Sequence, residues 1–288
     1  MHVFVVPASP KTGQATMRAL LHDASRPSAT GVYRGLGKVP AEFRDHPQFT
    51  AVVGDVADVR TLRLAGADAV VTITPPLYSD AEPLARAREM AANVKFAVGR
   101  TGGSVRRLVY VSSVGAGLEH GTGEIKTNYE AEQALAGAAP EVVFVRCAYF
   151  MENWSAALET LKAEPPFFHS VVCPEDFEIP MALGAGSPLR CNPHVFDLQG
   201  PRSYSTRDVQ RAFEAAAAGR RRVEIRMVED GQLEGFFAQV FREPMAGMFA
   251  EMTRSFLPGG IMAADAYEGT DVQRGAETLE NVVRGMLA

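Results

Sequence analysis

The residues best suited to chemistry follow a short apolar run at the start of the chain. His2 to Val6 reads as a buried strand, and Pro7-Ala8-Ser9-Pro10-Lys11-Thr12-Gly13 comes directly after it. Pro7, Pro10 and Gly13 keep the spacing of a G-x-x-G-x-x-G turn, which lets a pyrophosphate approach backbone N–H groups and a helix N-terminus. Proline stands at the first two glycine positions. It fixes φ at about −65° and has no N–H, so it removes a possible phosphate donor at each place. Pro10 is still suited to the first position of a helix. Ser9, Lys11, Thr12 and Gly13 remain as the anion-facing candidates. A second apolar run closes as Val32-Tyr33-Arg34-Gly35, without an acid. An acid there would take a ribose 2′-hydroxyl, whereas arginine accommodates a 2′-phosphate. Arg34 and Lys38 therefore favour NADP over NAD, unless they are a pair of solvated surface cations.

Other polar residues fall where strands end. Ser112 and Ser113 follow the run Leu108-Val109-Tyr110-Val111, and they either hydrogen-bond a substrate carbonyl or cap the next turn. Lys126 and Tyr129 are three apart and share a face of any helix that already includes Lys126. His120, His169 and His194 show no metal spacing with one another or with Cys147, Cys173 and Cys191, so no metal is expected. No G-x-S-x-G elbow is present, which argues against a serine hydrolase of the α/β class.

These residues need a scaffold to position them, and the chain is long enough to provide one. Its 288 residues suit one large domain or two small ones, with 47% hydrophobic and 22% charged residues. A net charge of −5 gives no footprint for nucleic acid, and the densest basic run, Arg220-Arg221-Arg222, reads as a solvated turn. No run reaches the length of a membrane span. The opening apolar run stops at Pro7, too early for a secretory leader. Three cysteines make no disulfide framework. The expectation is a soluble, cytoplasmic protein.

Apolar runs at His2–Val6, Thr30–Tyr33, Ala51–Val53, Ala69–Ile73, Leu108–Val111 and Val142–Val145 alternate with helical patterns at Lys11–Ala24, Asp80–Val98 and Thr127–Leu135. That order indicates an α/β fold built on a doubly wound parallel sheet over residues 1–150. Residues 151–288 read as a smaller α+β cap on the substrate side, interleaved with the last strands. Its expected elements are helices at Tyr149–Leu161, Ser205–Ala218, Gln232–Arg254 and Val272–Leu287, with strands at Val195–Leu198 and Val223–Val228. The Gln232–Arg254 stretch is apolar enough for a homodimer contact or for a cap.

A family resemblance sharpens this. The Pro7–Gly13 turn, Arg34, Gly54-Asp55-Val56, Thr72-Ile73-Thr74-Pro75-Pro76 and Val109-Tyr110-Val111-Ser112-Ser113 occur in the order found in NmrA-like proteins. Those proteins are atypical relatives of the short-chain dehydrogenases and reductases. Arg146-Cys147-Ala148-Tyr149-Phe150-Met151-Glu152-Asn153-Trp154, Asp197-Leu198-Gln199-Gly200-Pro201 with Tyr204-Ser205 and Asp208-Val209, and Arg274-Gly275 with Thr278-Leu279-Glu280 resemble later segments of the family. The resemblance implies a Rossmann domain binding NADP(H), with Asp55 and Val56 near the adenine and Thr74-Pro75 along the cofactor. It makes Ser113, Phe150, Asn153 and Trp154 the substrate-side candidates. Ile179-Pro180-Met181 departs from the family, and Ala182 to Pro193 reads as short and irregular.

Typical short-chain dehydrogenases place Tyr and Lys four apart on one helix. Tyr129 has Gln133 there, so that pair is absent. The family instead implies Lys126 as proton donor; Tyr129 either donates or packs, and Ser112 is a further catalytic candidate unless it only caps its turn. Three functions stay open: an NADP-dependent oxidoreductase of a small or medium organic molecule, a cofactor-free isomerase, cyclase or lyase, and a non-enzymatic NADP-sensing regulator.

Overall fold

The computed structural model describes residues 1–182, 192–216, 222–263 and 271–287. Eight strands matter most: β1 His2–Val6, β2 Ser28–Tyr33, β3 Phe49–Val53, β4 Ala69–Ile73, β5 Arg107–Ser113, β6 Glu141–Cys147, β7 His194–Gln199 and β8 Asp271–Arg274. They form one sheet in the order β8-β7-β6-β5-β4-β1-β2-β3. β1 pairs in parallel with β2 and with β4, and the pairs β2–β3, β4–β5 and β7–β8 are parallel too. The helices are α1 Lys11–His22, α2 Ala41–Arg44, α3 Pro83–Gly99, α4 Lys126–Leu135, α5 Thr206–Ala216, α6 Leu233–Phe237, α7 Met245–Phe256 and α8 Leu279–Leu287. This is the doubly wound α/β sheet that the apolar runs predict.

Strand pleating explains why those runs are continuous. Phe4 and Val6 face a core that also holds Val32, Val70, Leu108 and Phe144, with Ala91 and Val94 of α3. Val5 points the other way, into a core with Met17 and Leu21 of α1, Tyr33 and Phe43. Alternate side chains thus enter two cores, and a strand covered on both faces has no polar side. The winding reverses between β1 and β4. In open α/β sheets ligands bind beyond the carboxyl ends of the strands at such a switch point.

The fold divides into two compact units. The first comprises Met1–Ser112, Thr127–Val145 and Leu189–Val195, and the second Ser113–Lys126, Arg146–Pro188 and Phe196–Ala288. The first holds both cores just described. The second has its own, in which Trp154, Phe168 and Phe213 pack ring to ring at 5.7 and 5.5 Å.

Three helices expected in the second unit differ from the sequence pattern. Tyr149–Phe150 is a short strand beside Met181–Ala182, and a 3-10 helix, Met151–Ala157, follows it. Asn153 and Ser155 are weak helix formers, and Trp154 is drawn into the core. The Gln232–Arg254 pattern splits into α6 and α7 with Pro244 between them, because proline cannot donate to a continuing helix. The stretch from Val272 opens as β8 beside β7, and its helix begins only at Leu279. Residues 183–191 of the expected irregular stretch lie outside the described residues. So do Cys191, residues 217–218 of the expected Ser205–Ala218 helix, and Arg220-Arg221.

The start of α5 carries a buried charge pairing. The Asp208 carboxylate accepts the Ser205 N–H at 2.9 Å, two Arg202 N–H groups at 3.1 Å each, and Arg211 at 2.6 Å. Ser205 Oγ in turn accepts the Asp208 N–H at 3.3 Å, which completes a reciprocal cap. Burial would raise the Asp208 pKa, but the Arg202, Ser205 and Arg211 hydrogen bonds outweigh it and hold the carboxyl well below the usual range. A depressed folded pKa contributes stability above the unfolded value and loses it as pH falls toward the folded one. Asp208→Asn is therefore expected to lose about 1–2 kcal/mol at neutral pH, less than for a fully buried pair because Arg202 stays half exposed. In urea unfolding, the wild-type advantage should shrink as the pH drops below about 4.

Candidate functional site

The expected binding residues of the first unit lie on the turns and strand ends that follow β1, β2, β3 and β4. The Ala8 N–H donates to Val32 O at 2.9 Å, tying the turn after β1 to the end of β2. The Gln14 side-chain amide donates to Ser9 O at 2.8 Å and the Gln14 N–H to Pro10 O at 2.9 Å, so the turn folds directly into α1. Pro10 is the N-cap and supplies no side-chain cap, and the first turn of α1 contains no acid. The leading N–H groups of a helix have no acceptor within it. Those of Lys11, Thr12 and Gly13 therefore present an uncapped positive dipole end.

Gly13 is what lets the helix sit there. A Cβ at this position would stand 2.7 Å from Pro7 O and 3.0 Å from the Ala8 backbone. The third glycine of the fingerprint, needed for close helix–strand approach, is thus retained even though the first two are replaced. Neither proline lies among the Ser9, Lys11 and Thr12 N–H groups expected to take a phosphate.

Arg34 and Lys38 are exposed, and neither forms an ion pair with a described residue. The preceding Tyr33 is buried against Gly31, its hydroxyl has no partner among the described residues, and burial pushes its pKa up to about 12.

On the next strand ends, Asp55 accepts the Ala57 N–H at 3.0 Å while its own N–H donates to Thr61 Oγ1 at 2.8 Å. Val56 is buried, and its carbonyl accepts from the Asn93 side chain at 2.9 Å. Val56, Thr72, Thr74 and Tyr110 line a common cavity of about 10 Å³, room for one water at most. Pro75 is half-buried beside Thr74.

Thr74 Oγ1 lies 2.8 Å from the Tyr110 hydroxyl, which donates to Asn128 Oδ1 at 2.9 Å. Tyr110 and Asn128 escape the sequence reading. Tyr110 sits inside an apolar run and resembles core, and the one available signal is an asparagine, a poor helix former, inside α4. Ser112 is buried and donates to Glu132 Oε1 at 2.7 Å. With its proton so committed, Ser112 offers a ligand lone pairs, not the donor that a carbonyl needs.

Lys126 and Tyr129 both lie on α4, at its first residue and one turn later, and both are half-buried. In the second unit, the Ser113 hydroxyl makes a 3.3 Å contact with Val114 O. Phe150 is half-buried in its short strand, and Asn153 is exposed and shares a hydrogen bond with Tyr149. Trp154 is buried, 5.8 Å from the Tyr149 ring, and its Nε1 has no partner among the described residues. Among the described residues no group of three metal-ligating side chains occurs, and no helix is long and apolar enough to cross a membrane.

The chain resembles known proteins in fold more than in sequence. No curated protein matches it. Triphenylmethane reductase of Citrobacter sp., solved with NADP(H), is 14% identical over 99% of both chains, with a TM-score of 0.74. An NADPH-dependent quinone oxidoreductase of Escherichia coli, solved with NADPH, is 17% identical over 100% of both chains at a TM-score of 0.69. A mutant of NmrA is 17% identical over 98% of this chain and 94% of its own, at 0.66. The family described as NAD(P)H-binding matches residues 8–176, more than half of the chain. The chain thus belongs to the NAD(P)H-binding family and carries the fold of NmrA.

Proposed function

We propose that this protein is an NADP(H)-dependent oxidoreductase acting on a small or medium organic molecule. The observation that carries the reading is the uncapped N-terminus of α1, seated by Gly13 under the Pro7 carbonyl, with Arg34 and Lys38 exposed and paired with no carboxylate among the described residues. In this reading the Ser9, Lys11 and Thr12 N–H groups take the pyrophosphate, and Arg34 and Lys38 take the 2′-phosphate. Asp55 and Val56 stand on the adenine side, and Thr74 and Pro75 lie along the cofactor. When bound, the dinucleotide supplies hydride chemistry. Lys126, the first residue of α4, supplies the proton that the reduced substrate needs.

Titration of the purified chain with NADPH and NADH, followed by cofactor fluorescence, tests this. NADPH is expected to bind more tightly, and Arg34→Ala with Lys38→Ala should weaken it about 10- to 100-fold while leaving NADH unchanged, since charged hydrogen bonds are worth about 1.5–3 kcal/mol. No binding at millimolar NADPH overturns the reading, and equal affinity for both dinucleotides overturns the assignment of Arg34 and Lys38. Oxidation of NADPH with a quinone or a triphenylmethane dye, the substrates named for the two reductases above, is the first assay of turnover. Binding without turnover on any acceptor would favour a sensing role.

A further inference from the structure

A phenol has one proton, and Tyr110 has committed its own. Because the Tyr110 hydroxyl donates to Asn128 Oδ1, its contact with Thr74 Oγ1 requires Thr74 to be the donor. The run Thr74→Tyr110→Asn128 has one direction, and it ends on an amide oxygen that only accepts. Tyr110 is 1% exposed and its ring meets Phe144 edge-on at 6.2 Å, so the hydroxyl cannot turn to solvent. Thr74, half-buried at the carboxyl end of β4, thus has its proton turned inward. Toward a ligand it shows lone pairs alone.

We infer that Tyr110 and Asn128 are positioning residues that set Thr74 Oγ1 as an acceptor, so that it selects a ligand group that donates a hydrogen bond. A phosphate oxygen is rejected there. Donors that a dinucleotide carries are its ribose hydroxyls, the adenine amino group and the nicotinamide carboxamide N–H. The inference rests on the dinucleotide reading and extends it by assigning the polarity of the ligand group that meets β4.

Calorimetric titration of the full chain with NADPH tests it. Tyr110→Phe and Asn128→Leu should each weaken NADPH about five- to tenfold, the worth of one hydrogen bond. Asn128→Asp keeps an acceptor in front of the phenol and should retain wild-type NADPH affinity at neutral pH. Thr74→Val combined with Tyr110→Phe should lose no more than Thr74→Val alone, because Tyr110 acts only through Thr74. If the wild-type chain binds NADPH and Tyr110→Phe binds it equally well, the inference is overturned. A double variant that binds NADPH more weakly than Thr74→Val alone overturns it too, since that marks general loosening of the fold. A wild-type chain with no affinity for NADPH overturns the dinucleotide reading, and this assignment with it.

Discussion

Gly13→Ala should cost the protein both its stability margin and its dinucleotide affinity. The added Cβ would lie 2.7 Å from Pro7 O and 3.0 Å from two Ala8 backbone atoms. These are backbone neighbours, so the clash cannot be relieved by a side-chain rotation. Either α1 moves away from β1 or the turn shifts, and overpacking of this kind typically costs about 1–3 kcal/mol. Binding should suffer further, because the same shift displaces the Lys11 and Thr12 N–H groups that the proposed function assigns to the phosphates. A loss of NADPH affinity of about 100-fold is expected, from two charge-assisted hydrogen bonds of about 1.5–3 kcal/mol each, made with poorer geometry. Urea unfolding and NADPH titration of the variant measure the two effects separately. Wild-type affinity in Gly13→Ala would remove the turn from the binding site.

Gly123→Ala is expected to be the most destabilising single substitution proposed for this chain. Gly123 has φ +54°, in the left-handed region, where a side chain costs about 1–2 kcal/mol. Its Cβ would also stand 2.0 Å from Met248 O and 2.5 Å from Met252 N, both backbone atoms of α7 in the same unit. The two penalties together amount to about 3 kcal/mol or more, a melting-temperature drop of roughly 10 °C. Gly99→Ala is the control: Gly99 is the last residue of α3 and its Cβ would meet nothing within 4 Å, so little change is expected. Equal melting temperatures for the two variants would refute the packing argument.

Much of the first unit is legible in sequence because its signals are local. Each strand from β1 to β6 is a short apolar run, buried on both faces where it is central, and the turn after β1 displays its glycine and its prolines within seven consecutive residues. Arg34 follows β2 directly, so its place beyond a strand end can be read from the run before it. The hydrogen bonds that set the polarity of the site are not local. Thr74 meets Tyr110 across 36 residues, Tyr110 meets Asn128 across 18, and Ser112 meets Glu132 across 20. Each partner has an unremarkable setting in its own segment. Trp154 illustrates the same limit in the second unit. Beside Asn153 it suits a substrate pocket, yet its neighbours Tyr149 and Phe168 make it a core residue. Asp271–Arg274 carries two charges in four residues and becomes a strand only because β7 offers it a free edge.

The side chain of Asn192 sets a limit on the order in which this protein is assembled. It accepts the Val142 N–H at 2.9 Å and donates to Pro140 O at 2.6 Å, so it clasps the start of β6 within the first unit. A ribosome delivers the chain from its amino end, and domains generally fold as they emerge. The nucleotide-type unit therefore waits for residue 192 before its last clasp can close, although its other segments end at Val145. Through that interval the nascent first unit has β1 to β6 available but lacks one of its fastenings.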